Sequence, residues 1–268
     1  MALDPRFLAT AIEAALAAGR IQQKYFRTPL DVVKKGPIDL VTAADLEVEQ
    51  TFRALVDARF PSHVVLGEEQ AGALERRASG YRWIIDPVDG TTNFVHGLAL
   101  FCVSIALEVD GRVELGVVYD PMAEELFTAE RGEGARLNGQ RLAVTSCDQL
   151  IDALLVTGFP YNPRGGRQHQ VEVFRVFLEQ SRAVRRLGSA ALDLCYVAAG
   201  RFDAFWEDQL HAWDIAAGAL IVAEAGGRVK LAIVMNALGA SREEAERRLE
   251  EAGGVIRRVV PDAPPPVA

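Results

Sequence analysis

The stretch Trp83–Phe94, WIIDPVDGTTNF, opens with three apolar residues, then sets Asp86 and Asp89 three positions apart before a glycine, two threonines and an asparagine. Turn chemistry accounts for such a run, because Asp-Pro opens turns, Asp-Gly closes them and each aspartate can bond its own backbone. A metal site at the end of a strand accounts for it too, since paired carboxylates among oxygen donors suit a hard cation such as magnesium. Three more stretches bear on the choice. VVLGEEQ puts Glu68 and Glu69 just after an apolar strand, VTAADLEVE puts Asp45 at a helix start, and HAWDIAAG puts Asp214 at another. Each has a plain structural reading: a solvated loop for the glutamates, a capping box for Thr42 with Asp45, and an N-cap for Asp214 in a helix closed by Gly226 and Gly227. Yet all these acids fall at element ends, where side chains from separate segments can converge on one cavity.

The elements that must position them follow from hydrophobic periodicity. Residues 5–26 repeat apolar positions at helical spacing, with Pro5 suited to the first turn. The basic loop VVKKGPIDLVTAAD leads to a second helix over 43–60. HVVLG and RWIID read as strands, and LFCVSIALEVDGRVELGVVYDP as two alternating strands joined at Asp110-Gly111 like a hairpin. From residue 151 the order becomes strand ALLVTGF, helix QHQVEVFRVFLEQ, strand AVRRL, helix SAALDLCYVAAG, strand FDAFWE and helix DIAAGALIVAEAGG. That alternation predicts a separate α/β layer with crossover helices.

Composition narrows the partners. The 268 residues are half apolar and a quarter charged, enough for a sizeable core, and the net charge of −8 with no cationic stripe argues against a general nucleic-acid or membrane-surface binder. Phosphorylated substrates stay open, because a bound metal reverses the local field. Cys102, Cys147 and Cys195 are odd in number and far apart, as expected of reduced thiols in a cytoplasmic protein. No signal peptide or bilayer-spanning run is visible. His63, His96 and His169 read as surface or loop histidines, His211 as non-catalytic, and Trp83 and Trp213 as packing anchors for the loops.

GEE, WIIDPVDGTTNFVHG and WDIAAGALIVAEAGG, in this order and with RRLGSAALDLCYVAAGRFDAFWE between the last two, resemble the bacterial inositol monophosphatases over about residues 5–228. The resemblance implies an α+β fold, a layered αβαβα sandwich of the inositol monophosphatase and sugar phosphatase type. It implies that Glu68, Asp86, Asp89 and Asp214 hold two or three Mg2+ ions through side chains and Val88 through its carbonyl. Gly90 and Thr91 would present amides to phosphate, and Thr91 with Asp45 would orient the attacking water. Gly188, Ser189, Ala190 and Glu207 would contact the alcohol part of the substrate, with Lys34 on a mobile loop near the site. A homodimer, a small phosphorylated alcohol as substrate and lithium sensitivity belong to the same implication.

The chemistry asks for such an arrangement. Phosphomonoester hydrolysis is among the slowest uncatalysed reactions, and a dianionic ester repels hydroxide. Carboxylate-held magnesium neutralises that charge and activates water, while the glycine before a helix start lets phosphate reach bare amides. The haloacid-dehalogenase-like phosphatases offer a rival, but their Asp-x-Asp-Gly-Thr lacks the second intervening residue of DPVDGT and would predict an aspartyl-phosphate. The favoured expectation is a magnesium-dependent phosphatase for myo-inositol 1-phosphate. Fructose 1,6-bisphosphate, histidinol phosphate or a 3′-phosphonucleotide are alternative substrates for the same site, and a non-catalytic interaction protein is the alternative class. Changing Asp86, Asp89 or Asp214 to Asn is expected to remove activity while leaving or raising stability, because each change relieves like-charge repulsion.

The expected division is an α+β segment at 1–145 carrying the main metal motifs, an α/β segment at 146–228 completing the site, and two terminal segments. Residues 229–258 depart from the family and resemble the C-terminal helical segment of N-acetylmuramic acid 6-phosphate etherases, with a Ser-capped helix in SREEAERRLEEAGG. Residues 259–268 read as a disordered Pro-rich end.

Overall fold

The structure, a computed structural model, describes residues 3–28, 33–34, 40–69, 80–159 and 167–228. In chain order its elements are α1 (Pro5–Tyr25), β1 (Val33–Lys34), β2 (Leu40–Val41), α2 (Ala43–Arg59), β3 (Val64–Gly67), β4 (Tyr81–Asp89), α3 (Thr91–Val95), β5 (Cys102–Val109) and β6 (Arg112–Asp120). They continue with β7 (Glu125–Glu130), β8 (Gly134–Leu137), β9 (Gln140–Arg141), a 3-10 turn at Leu150–Asp152, β10 (Leu154–Thr157), α4 (Arg167–Gln180), β11 (Ala183–Arg185), α5 (Ala190–Ala198), β12 (Ala204–Trp206) and α6 (Ala212–Glu224).

Seven strands form one sheet in chain order from β3 to β9, parallel between β3 and β4 and antiparallel elsewhere. Side chains alternate across it. Trp83, Ile85, Ile105, Leu107, Leu115 and Val117 meet the apolar stripes of α1 and α2, including Phe7, Ala11, Val48 and Phe52, in one continuous core. Each large side chain buried there contributes about 1.5–3 kcal/mol. The intervening residues face α6. Gly116 marks how closely that helix lies, because a Cβ there would stand 2.8 Å from the Ala217 carbonyl oxygen.

The second sheet has the order β11, β10, β12, all parallel, with Leu155 opposite both Val184 and Ala204. Helix α5 packs on α6 and reaches β10 and β12, while α4 packs on β11, with Phe177 against Trp206. The result is the expected layered α+β fold. Strands β7–β9 extend the first sheet beyond the segments read as strands in the sequence.

The described residues up to Gly227 form one compact unit, and a second begins at Arg228. The helical reading of 229–258 and the disordered reading of 259–268 lie outside the described residues. We keep the division near residue 145 as a proposal, because the first sheet ends at Arg141 and the second begins at Leu154. Among the described residues no helix is long and apolar enough to cross a membrane. The three cysteines are free, Cys102 and Cys195 buried and Cys147 exposed.

His63 corrects the surface reading. It is buried, stacks on Tyr81 and Phe60, and its Nδ1 accepts from Trp83 Nε1 at 3.1 Å, so its aromatic neighbours bring it inside. Trp83 is itself fully buried in the core.

Candidate active site

Strand β4 continues through the two aspartates instead of stopping before them. Its pairing with β5 jumps from Asp86 opposite Ser104 to Asp89 opposite Cys102, so three steps on β4 face two on β5. That is a bulge, and it takes Pro87 and Val88 out of the ladder. Their polar groups go elsewhere. The Val88 amide donates to Asp86 Oδ1 at 3.0 Å, Thr91 Oγ1 donates to the Val88 carbonyl at 2.9 Å, and Gln22 Nε2, from α1, donates to the Pro87 carbonyl at 2.8 Å. Asp86 shares the sheet face of Ile84, the one turned toward α6, and is 2 % exposed.

Gly90 then turns the chain into α3. It has φ 94°, and a Cβ would stand 2.9 Å from the Leu100 carbonyl oxygen and 3.3 Å from that of Gly188. Only glycine suits both demands. The first-turn amides after it have no acceptors within the helix. Asn93 ties α3 to the second sheet's side by donating to the carbonyls of Leu100 at 2.8 Å and Leu187 at 2.9 Å.

Asp89 is held from the far end of the chain. Its Oδ2 accepts from the Ser189 hydroxyl and from the Ala191 amide at 2.8 Å, its Oδ1 from the Ala190 amide at 3.2 Å, and the Cys102 thiol lies 3.6 Å from Oδ2. Ser189 is also the N-cap of α5. Asp89 thus sits against the positive end of that helix. Ser189 and Ala190, expected to face the substrate, are here turned to this carboxylate.

Asp45 realises the capping box: its Oδ2 accepts the Thr42 amide at 2.8 Å and the Thr42 hydroxyl at 2.5 Å. Its Oδ1 is buried and without a partner among the described residues. Capping uses one oxygen and leaves the other over. Asp214 is the third residue of α6, not its N-cap, because the helix starts at Ala212 after His211, whose amide donates to Asp214 Oδ2 at 2.6 Å. Ser104 Oγ, beside Asp86 on the sheet, donates to the Trp213 carbonyl at 3.2 Å and brings that helix start over the bulge. Glu68 is half-buried just beyond β3, where Glu49 of α2 accepts the Glu69 amide at 2.8 Å while paired with Arg53.

Electrostatics gathers these acids into one cluster. Burial, then the carboxylates of Glu68, Asp89, Asp214 and Asp45, push the Asp86 acid well above the usual range, with no cation among those groups. Burial raises Asp89 against the pull of its donors. Burial pushes Asp214 up to about 8, partly offset by the His211 amide, and Asp45 up to about 6, partly offset by the Thr42 hydroxyl and amide. Among the described residues no three His, Cys, Asp or Glu side chains stand around one point as a ready-made ion cage, since each aspartate is turned to a nearby donor. The donor chemistry still fits divalent cations. Three buried aspartates and the half-buried Asp214 and Glu68 act on one another as hard carboxylates, and Asp45 Oδ1 is left over among the described residues.

On the substrate side, Glu207 is pushed up to about 7 by burial and by Asp89, with Arg186 acting the other way. Gly188 sits at φ 93° between Asn93 and Arg186. Lys34 pairs with Leu40 in a two-residue strand, and its backbone is what the structure describes. Sequence reading missed Gln22, Glu49, Asn93 and Cys102. Gln22 alone had a signal, since it continues the buried stripe of Ala11, Ala15 and Ala18 where an apolar residue is due. A separate cavity of about 390 Å³ between α1 and α2, lined by Ala14, Ala18, Phe52 and Ala58, lacks converging carboxylates and is not this site.

A layered α+β protein with a buried carboxylate cluster beside a glycine-started helix is the class that fold and site define. The chain belongs to the inositol monophosphatase family, whose profile matches residues 4–259. That match runs into the stretch read as departing from the family, and it gives no support to the etherase likeness of 229–258. The Nus factor SuhB of Pseudomonas aeruginosa is 48 % identical over 228 residues, covering 82 % of this chain and 83 % of that protein. An inositol-1-monophosphatase of Mesorhizobium japonicum is 48 % identical over 220 residues, covering 81 % and 82 %. The extragenic suppressor protein suhB of Bartonella henselae, a solved structure, superposes with a TM-score of 0.78 at 43 % identity over 82 % of this chain and 85 % of that one.

Proposed function

We propose that this chain is a divalent-metal-dependent phosphomonoesterase for small alcohol monophosphates, with myo-inositol 1-phosphate as the leading substrate and Mg2+ as the metal. The observation that carries the proposal is the buried carboxylate cluster set directly beside the Gly90 start of α3, a cation site next to an anion site. Glu68, Asp86, Asp89 and Asp214 would hold the ions with the Val88 carbonyl. Bound divalent cations supply positive charge that offsets the phosphate dianion and lowers the pKa of water.

The chain's own groups do the rest. Thr91 Oγ1 donates its proton to the Val88 carbonyl, so toward a water it can only accept, as can the left-over Asp45 Oδ1. A water giving both protons to these oxygens keeps a lone pair for phosphorus. The Gly90 and Thr91 amides take the phosphate oxygens, and Gly188 and Glu207 border the alcohol, while the Ser189 hydroxyl and the Ala190 amide beside them hold Asp89. Lithium is expected to compete for a cation position.

The experiment is a phosphate-release panel with myo-inositol 1-phosphate, fructose 1,6-bisphosphate, histidinol phosphate and a 3′-phosphonucleotide, with Mg2+ or with chelator. Release is expected only with Mg2+, and Asp86→Asn should lower turnover by about a hundredfold or more, the scale of several kcal/mol of lost charge stabilisation. Full release in excess chelator would sink the reading. The relatives named Nus factor favour a second reading, in which the chain also serves as an interaction factor. Under it, Asp86→Asn loses phosphate release and keeps the capture of partners.

A further inference from the structure

Pro87 and Val88 stand outside the sheet ladder, and the peptide plane between them carries the Pro87 carbonyl at one end and the Val88 amide at the other. The carbonyl accepts from Gln22 Nε2 at 2.8 Å, and the amide donates to Asp86 Oδ1 at 3.0 Å. The Gln22 side chain is fully buried on α1, and its orientation is forced, because a carbonyl can be met only by the amide nitrogen. Its Oε1 has no partner among the described residues. A buried amide held with half of its hydrogen bonding unmet is costly for packing alone. Hydrophobic burial asks for nothing polar at this point of the stripe.

Resting on the metal-dependent reading above, we propose that Gln22 is a positioning residue for Asp86: by fixing the Pro87–Val88 peptide plane from the α1 side, it aims the Val88 amide at one Asp86 oxygen and leaves the other directed for a cation. Without that donor the Pro87 carbonyl is a buried acceptor with no partner. The plane then rotates to find one, and the Val88 amide and the Asp86 carboxylate rotate with it. Outer partners of this kind commonly change metal affinity or activity by about 10–100-fold.

The test compares wild type with Gln22→Met, which keeps length and loses the donor, and Gln22→Asn, which keeps the donor and leaves a gap. Three measurements are made: melting temperature, hydrogen exchange of the Val88 and Asp89 amides in chelator, and Mn2+ affinity by paramagnetic resonance. Gln22→Met should melt close to wild type, exchange faster at Val88, and bind Mn2+ about tenfold more weakly, with kcat falling and KM little changed. Gln22→Asn should be the least stable of the three yet bind Mn2+ better than Gln22→Met. If exchange and Mn2+ affinity follow melting temperature whatever the donor, or if Gln22→Met matches wild type in both, Gln22 is packing and the proposal falls alone. A wild-type chain that takes up no Mn2+ overturns this proposal and the functional reading together.

Discussion

Asp86 and Asp89 carry the same charge three residues apart, but they are held differently. Among the described residues Asp86 accepts one hydrogen bond, from the Val88 amide, and sits among like charges. Asparagine there keeps that acceptor and relieves repulsion, so the metal-free melting temperature should stay level or rise. Asp89 accepts from Ser189, Ala190, Ala191 and the Cys102 thiol. Asparagine there must set its NH2 against one of those donors, at a cost of about 1–3 kcal/mol. Asp89→Asn should therefore melt lower, by about 2–4 °C for each kcal/mol, although both variants lose the same charge. Calorimetry of the two proteins in chelator checks this, and a shift of equal sign in both would count against it. The sequence treats these aspartates as equivalent. Its spacing shows that they are near each other, while Ser189, Ala190 and Ala191 reach Asp89 from 100, 101 and 102 residues away.

Among the elements, the β4 bulge and the start of α3 make one rigid joint. The bulge releases the backbone, Gly90 redirects it, and Asn93 locks the result to Leu187. Gly90→Ala would cost about 1–2 kcal/mol in left-handed strain and would also press on two carbonyls. Gly111 is the natural comparison, at φ 83° with nothing within 4 Å of an added Cβ. Both alanine variants should melt lower, but only Gly90→Ala should also lose turnover, because only there does relief move the α3 amides away from the carboxylates. Phosphate-release kinetics on the two variants give the answer, and unchanged turnover in Gly90→Ala would separate α3 from catalysis. The capping box at Thr42 and Asp45 was legible because it is local, three residues wide. The bulge was not, since it exists only in the pairing with β5.

At the scale of the whole molecule, an excess of buried acids sets the response to pH. Asp86, Asp89, Asp193 (up to about 9), Asp214 (about 8), Glu207 (about 7) and Asp45 (about 6) are all raised, chiefly by burial. An acid raised on folding contributes stability in full below its unfolded pKa, about 4, and loses it as pH rises through the folded value. His63, lowered by burial, works oppositely, favouring the fold above about 6.5. Among the described residues these acids, joined by Asp120 and Glu130, which burial also raises, outweigh the one histidine, so the metal-free chain loses stability as pH rises from 6 to 9. Millimolar Mg2+ should recover that loss, because an ion bound only by the folded state stabilises it by mass action. Melting curves across this range, with Mg2+ and with chelator, should diverge as pH rises, and parallel curves would contradict the prediction.

Periodicity and local spacing in the sequence determined the helices, the alternating strands, the reading of the second sheet and the clustering of acids at element ends. These depend on residues within one or two turns of each other, so the chain carries them in itself. Tertiary structure decided which oxygen of each acid is engaged, that His63 lies inside an aromatic stack, and that Gln22 holds the plane beside Asp86. Those outcomes rest on bonds spanning 65 residues from Gln22 to Pro87 and 102 from Asp89 to Ala191. Such contacts are fixed only when the layers pack, because a hydrogen bond's direction depends on where both partners are placed in space, and spacing along one segment specifies neither.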